Sequence, residues 1–273
     1  MRKLIDFGLY CSVYLVLLTL SPIIITIVCL IFLTPKKLDD LAIYFLRIII
    51  YTITFLVFKV GNNIKIIGRE NIPSGSRILF LSNHQTLIDS FLVALGTLSF
   101  SDVFFHTNKF AYNVPESKNF YYNGFLRIFF KALKTVPISR SGASRAKIEA
   151  QVNQFCHLLT KSNLAVFFEG TRTRDGKINE CRVGPALTII KARPNYVVPI
   201  LLENIQPIMP IKHGSKINLH ISMGGHRGRM IIGKPLNVSK FYQEDYSWET
   251  AVVQSDELRQ LIKEAVENLK PSE

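Results

Sequence analysis

The chain has 273 residues with 33 Lys+Arg against 20 Asp+Glu, a formal charge of +13, yet 48% of it is hydrophobic and only 19% charged. That balance excludes a disordered basic tail, which lacks large apolar residues, and argues against a nucleic-acid partner, whose binder would carry more charge. A chain both apolar and cationic suits a surface pressed against anionic lipid. Its four cysteines, at 11, 29, 156 and 181, form neither a C-x-x-C pair nor a metal-ligand spacing. A reducing compartment without disulfides or zinc follows.

The first element is an uncharged run from Phe7 to Pro35, with its core at 9–33. As a helix those 25 residues reach roughly 38 Å, enough to cross a bilayer with tilt. Pro22 predicts a kink. After Lys36-Lys37-Leu38-Asp39-Asp40 a second apolar run covers 41–60, interrupted by Arg47. An arginine at that depth facing lipid costs roughly 2.5–3.5 kcal/mol. The first run is too long for a signal-peptide core, and no small-x-small cleavage site follows it. Residues 1–60 therefore read as a hydrophobic helical hairpin, a membrane anchor that either spans or sinks into one leaflet. Arg2, Lys3, Lys59, Lys65 and Arg69 outnumber Lys36 and Lys37, which puts the rest of the chain on the cytoplasmic side. A buried hairpin of a soluble fold is the competing reading.

Residues 61–273 read as one α/β domain. Strands are predicted at 64–67, 78–81, 103–106, 135–139, 164–168, 197–202, 217–222 and 230–232. Helices are predicted at 87–98, 125–133, 144–159, 184–192 and 256–269; in the last, Leu258, Leu261, Ile262, Ala265 and Leu269 trace one face. Such alternation favours a mostly parallel central sheet flanked by helices.

The sharpest local feature is Asn83-His84-Gln85-Thr86-Leu87-Ile88-Asp89, where a strand gives way to an apolar helix. On one regular helix His84 and Asp89 do not share a face. With His84 just before the first turn, the chain can fold it back towards Asp89, which then fixes the imidazole tautomer. The sequence has no G-x-S-x-G elbow and no cysteine beside a base, so this dyad suits direct activation of a substrate hydroxyl. A second strand ends in Phe167-Phe168-Glu169-Gly170-Thr171-Arg172, at the kind of place where open α/β sheets collect ligands. Gly170 admits close backbone approach, and Arg172 offers a fork suited to phosphate. Thr135-Val136-Pro137-Ile138-Ser139-Arg140 supplies another arginine, Arg140, at a comparable strand end.

Together these motifs resemble the glycerolipid acyltransferase family that includes bacterial 1-acylglycerol-3-phosphate acyltransferases, over about residues 64–235. Its N-H-x-x-x-x-D block is met by Asn83, His84 and Asp89. Its F-P-E-G-T-R block is met by Phe167, Glu169, Gly170, Thr171 and Arg172, with Phe168 where proline is usual. Arg140 resembles the end of the second block and Val198-Pro199-Ile200 the fourth. Lys134-Thr135-Val136-Pro137-Ile138 and Ile232-Gly233-Lys234-Pro235 are similar to the tafazzin branch, although Thr171-Arg172 follows the general family. The resemblance implies an O-acyltransferase of phospholipid synthesis or remodelling. His84 would be the base and Asp89 its orienter. Asn83, Arg140, Glu169, Gly170, Thr171 and Arg172 would bind substrate. It implies no cofactor: the acyl donor, acyl-CoA or acyl carrier protein, is a substrate, and a phospholipid would replace it in a tafazzin-like transacylase. Members often use a phosphate-holding lysine between the first two blocks. Asn123 stands where tafazzin has it, leaving Lys109 and Lys118 as candidates.

Other patterns are set aside. Gly228 to Lys234 has P-loop spacing, but Pro235 replaces the required Ser or Thr, so a strand and turn is expected. The aromatic cluster Phe120-Tyr121-Tyr122, Phe125 and Phe129-Phe130 reads as core, the alternative being an amphipathic lipid-facing helix flanked by Lys118, Arg127, Lys131 and Lys134. Two rival classes are a non-catalytic membrane-anchored lipid-binding protein, which leaves the strand-end motifs unexplained, and a lysophospholipase, for which the chain offers no nucleophile.

Overall fold

A computed structural model describes residues 21, 35–106, 109–115, 129–137, 144–173, 175–210 and 220–270. Helix α1 (Pro35–Phe55) continues through a π-helical turn (Leu56–Val60) into strand β1 (Asn63–Ile67). Then follow β2 (Ile78–Ser82), α2 (Asp89–Thr97), α3 (Phe100–Phe105), β3 (Tyr112–Asn113) and α4 (Arg145–Lys161). The chain continues through β4 (Leu164–Phe167), α5 (Val183–Ala192), β5 (Tyr196–Glu203), β6 (Arg227–Ile232) and α6 (Trp248–Glu267).

Six strands form one sheet in the order β1-β6-β5-β2-β4-β3. All pairings are parallel except β5 with β6, where Ile200 faces Ile232 and Leu202 faces Met230. The expected mostly parallel sheet between helices is therefore present. Its central strand β2 is buried at every residue, as befits a strand covered on both faces. Two apolar cores follow from this layering. One joins β2, β4 and β5 to α4, α5 and α6 through Leu79, Phe155, Leu187, Leu201, Leu258 and Ile262. The other joins the opposite face to α2 and α1 through Phe80, Leu92, Val198, Met230, Tyr51 and Phe58.

Helix α1 belongs to that second core. Ile50, Tyr51 and Phe58 are buried, Tyr51 Oη donates to Leu98 O at 3.2 Å, and Tyr44 Oη to Phe104 O at 3.2 Å. Each buried side chain of this size contributes about 1.5–3 kcal/mol, so the stretch 50–58 packs as part of the folded body. Arg47 turns inward: its Nε donates to Ala132 O at 2.7 Å and its guanidinium lies 5.3 Å from the centre of the Phe110 ring. The apolar stretch Asp40–Val60 is nonetheless long and apolar enough to cross a membrane. The run at 9–33 lies outside the described residues.

Two expected strands are corrected. Residues 103–105 belong to helix α3, because Ser99 and Asp102 form a capping box: Ser99 Oγ accepts Asp102 N, and Asp102 Oδ2 accepts Ser99 N at 2.9 Å. Residues 220–222 are not in a strand; 217–219 lie outside the described residues. Thr135 makes only an isolated bridge to Asn113, and 138–139 also lie outside. The short edge strand β3 was not foreseen, and α6 begins eight residues before the predicted start. The stretch with P-loop spacing is strand β6, as expected.

Candidate active site

Strands β2 and β4 run side by side, with Ser82 opposite Phe167, so the segments that follow both emerge at one sheet end. After β2 the chain turns before α2. Asp89, the first residue of α2, is fully buried and sends its carboxylate back over the turn. Its Oδ2 accepts the backbone N–H of Gln85 at 2.5 Å and of Thr86 at 2.8 Å, while Oδ1 accepts Thr86 Oγ1 at 2.5 Å. The carboxylate closes its own turn, and that closure brings His84 Nδ1 to 2.9 Å from Asp89 Oδ2. A spacing of five that fails on a regular helix succeeds here because His84 precedes the helix.

The carboxylate is an acceptor towards all these partners, so in the neutral imidazole Nδ1 carries the proton and Nε2 the lone pair. Among the described residues no hydrogen bond occupies Nε2. His84 is 8% exposed, and its imidazole stacks on Phe167, with ring centres 4.0 Å apart and planes 9° from parallel. Ring orientation is thus fixed at one edge by Asp89 and on one face by Phe167.

The Glu169 block reaches the same residue from behind. Glu169 is 1% exposed; its Oε1 accepts the His84 backbone N–H at 2.8 Å, and its Oε2 accepts Asn179 N at 3.0 Å and Asn179 Nδ2 at 2.6 Å. Burial raises the Glu169 pKa above the ordinary carboxylate value, against the pull of these N–H donors. On the other side of the His84 peptide, Thr173 N donates to His84 O at 2.8 Å. Both polar groups of the His84 backbone are therefore held by the 169–173 segment. Phe168, standing where the family pattern has proline, donates its N–H to Ser82 O at 3.1 Å, a bond proline could not make.

Of the other sequence candidates, Asn83 is fully engaged in the fold. Its Nδ2 donates to Leu202 O at 2.9 Å and its Oδ1 accepts Leu202 N at 2.7 Å, tying the turn to β5. Gln85 adds a second tie, its Oε1 accepting Ile205 N at 2.9 Å. Gly170 has φ +69°, the left-handed region that favours glycine, and Thr171 beside it is exposed. Arg172 is half-buried, with no ion pair among the described residues. Arg140, Lys118 and Asn123 lie outside the described residues. Lys109 is not brought to the dyad: its Nζ pairs with Asp102 Oδ1 at 2.7 Å.

Sequence reasoning missed Thr86, Thr173, Asn179 and Arg182. Only Thr86, three residues before an aspartate, carried a local signal. Arg182 stands just before α5, and its Nε donates to Glu169 O at 3.2 Å. Among the described residues the two thiols offer no alternative nucleophile, since burial pushes Cys156 up to about 11 and Cys181 to about 12. A cavity lies between α1, α2 and the β3–β4 edge; Arg47, Tyr51, Ser90, Phe91, Ala94 and Ala165 are among its lining residues, and His84 and Asp89 are not.

Comparison with known proteins gives this geometry a context. The family described as Acyltransferase matches residues 63–203, over half of the chain and spanning both blocks of the site. No curated protein matches. The crystal structure of the 1-acyl-sn-glycerophosphate (LPA) acyltransferase, PlsC, from Thermotoga maritima is similar in fold, with a TM-score of 0.53 at 16% identity over 100% of both chains. With the family matched across the dyad and the Glu169 block, the chain belongs to the acyltransferases, the glycerolipid family that its motifs resemble.

Proposed function

We propose that this protein transfers a fatty acyl group from an acyl thioester to a free hydroxyl of a glycerophosphate-type acceptor, such as lysophosphatidic acid, at a membrane surface. The observation that carries the reading is the buried His84–Asp89 pair, with no hydrogen bond to Nε2 and no side chain poised as a nucleophile among the described residues.

In this mechanism Nε2 of His84 takes the acceptor hydroxyl's proton as that oxygen attacks the acyl carbonyl carbon. Asp89 stabilises the imidazolium that results. The tetrahedral intermediate collapses with loss of the thiolate, which takes up the proton, leaving a new ester and a free thiol. No acyl-enzyme forms. Arg172, with Arg140, holds the acceptor's phosphate. Gly170 and Thr171 line the approach of the acceptor. Glu169 and Asn83 act at one remove, by holding the peptide and the turn that carry His84. Orientation of this kind is worth several kcal/mol of barrier, so small displacements are costly. The cavity beside α2 takes the acyl chain, and membrane phospholipid lies against the exposed face of α1, where Ile53, Phe55, Leu56 and Val60 are solvent-facing. The domain lies on the cytoplasmic side.

The test is an assay of the full chain in lipid vesicles with labelled acyl-CoA and 1-acylglycerol 3-phosphate. The expected product is the diacyl ester, with His84→Ala reducing its formation by roughly 10²–10⁴-fold, the span of general-base catalysis, while melting temperature and vesicle retention stay unchanged. Near-normal transfer by His84→Ala would sink the mechanism. Release of free fatty acid would indicate a hydrolase, transfer only from phospholipid a tafazzin-like transacylase, and no acyl chemistry a lipid-binding protein.

A further inference from the structure

Arg182 is a cation that the motifs do not include, and its surroundings hold it in a set pose. Its backbone N–H donates to Phe168 O at 2.8 Å, and its Nε donates to Glu169 O at 3.2 Å. Its Cγ lies so close over Gly170 that a Cβ at that position would sit 3.0 Å away. The residue is exposed, and among the described residues its two terminal nitrogens have neither a hydrogen bond nor an ion pair. Arg145, Arg229 and Arg259 are paired with carboxylates, whereas Arg182, like Arg193 and Arg227, has no ion pair among the described residues; its anchor on Glu169 is what sets it apart. An arginine anchored through Nε with both terminal NH2 groups open is oriented for two parallel bonds to one phosphate. The anchor matters as much as the charge. Glu169 holds the His84 peptide with its carboxylate and Arg182 with its carbonyl, so a single residue separates the base from the guanidinium.

We propose that Arg182 binds the phosphate monoester of the acyl acceptor, beside Arg172, and so makes the enzyme prefer phosphate-bearing acceptors over neutral acylglycerols. This rests on the acyl-transfer function proposed above. The same guanidinium chemistry would suit the phosphates of an acyl-CoA donor, and the test separates the two sources.

Arg182→Gln keeps an amide donor for the Glu169 carbonyl and removes the charge; Arg182→Lys keeps a charge without the fork. Both variants and the unaltered chain are assayed in vesicles with acyl-CoA and either 1-acylglycerol 3-phosphate or the 1-acylglycerol that lacks phosphate. For Arg182→Gln the expected result is a rise of at least tenfold in KM for the phosphate acceptor, with kcat and the donor KM within threefold and the preference over the neutral acceptor reduced by a similar factor. Arg182→Lys should recover part of that loss. A fall in kcat at unchanged acceptor KM would reduce Arg182 to a prop for the turn, and a rise confined to the donor KM would assign the phosphate to the donor; either overturns the proposal. If Arg182→Gln fails to fold, the acceptor KM of Arg182→Lys decides, a wild-type value overturning the assignment. Failure of the unaltered chain to acylate either acceptor would instead refute the proposed function, and this inference with it.

Discussion

Glu169 makes no bond to the imidazole, yet the position of His84 depends on it. Its two oxygens accept from the His84 peptide and from Asn179, and it does this while buried, where its charge is disfavoured. Because burial raises its folded pKa, its contribution to stability is full at low pH and is lost as pH rises through that value. Activity needs the opposite state, since protonation removes an acceptor. Glu169→Gln separates the two demands. The amide relieves the buried charge but turns an NH2 group towards an N–H donor, each effect about 1–3 kcal/mol and of opposite sign. The melting temperature should therefore move by only a few degrees, while kcat falls at least tenfold through displacement of His84; unchanged kcat would show that the peptide is held by other means. The His84–Asp89 pair could be read from the sequence because five residues and one helix start define it. The parts played by Glu169 and Asn83 could not, because each acts on backbone 85 and 119 residues away. Their motif membership suggested contact with substrate; the bonds they make hold the turn and the peptide that carry His84.

Elements were legible where one periodicity ran long enough to decide between helix and strand. Strand β2, buried throughout, and α4 and α5 stand close to their expected bounds. The run Val103-Phe104-Phe105 is too short for that, and its β-forming side chains pointed the wrong way; the capping box at Ser99 and Asp102 was the informative signal. Strand β3 has two residues and exists only through its pairing with β4, so no local pattern announces it. Helix α2 joins the dyad to the cavity: it begins with Asp89, and Ser90, Phe91 and Ala94 line the space that α1 roofs. If that space takes the acyl chain, a bulky side chain from α2 should shorten what fits. Ala94→Phe is expected to lower kcat/KM for long-chain acyl donors at least tenfold relative to short-chain ones. Overpacking would cost about 1–3 kcal/mol of stability. A competition assay with donors of graded length checks this, and an unchanged length profile would place the chain elsewhere.

At the scale of the molecule, the charge and the hydrophobic excess separate along the chain. Residues 1–60 carry +3 of the +13, leaving +10 on the part that contains the sheet. Yet α1 is not a free tether, and this bears on how the protein meets a bilayer. A helix that crosses the membrane must give its whole circumference to lipid or to other spanning segments. Helix α1 and its π-helical turn instead bury Ile50, Tyr51, Thr52, Thr54 and Phe58 against the folded body, keep Arg47 turned inward, and leave Ile53, Phe55, Leu56 and Val60 exposed. Such a helix fits the interface, its apolar face in the acyl region and its charged ends among the headgroups. We therefore expect α1 to lie along one leaflet. The sequence pattern alone could not decide this, because a buried stripe and a lipid-facing stripe are both apolar. A chain with Cys11→Ser, Cys29→Ser and Lys37→Cys, bound to vesicles with its sheet-containing part outside, tests the geometry. Residue 37 should react with a membrane-impermeant maleimide added outside and show no added labelling when the reagent is sealed inside. Labelling only from the inside would mean that α1 crosses the bilayer, and the packing of its buried face against the sheet would then have to be abandoned as the membrane-bound arrangement.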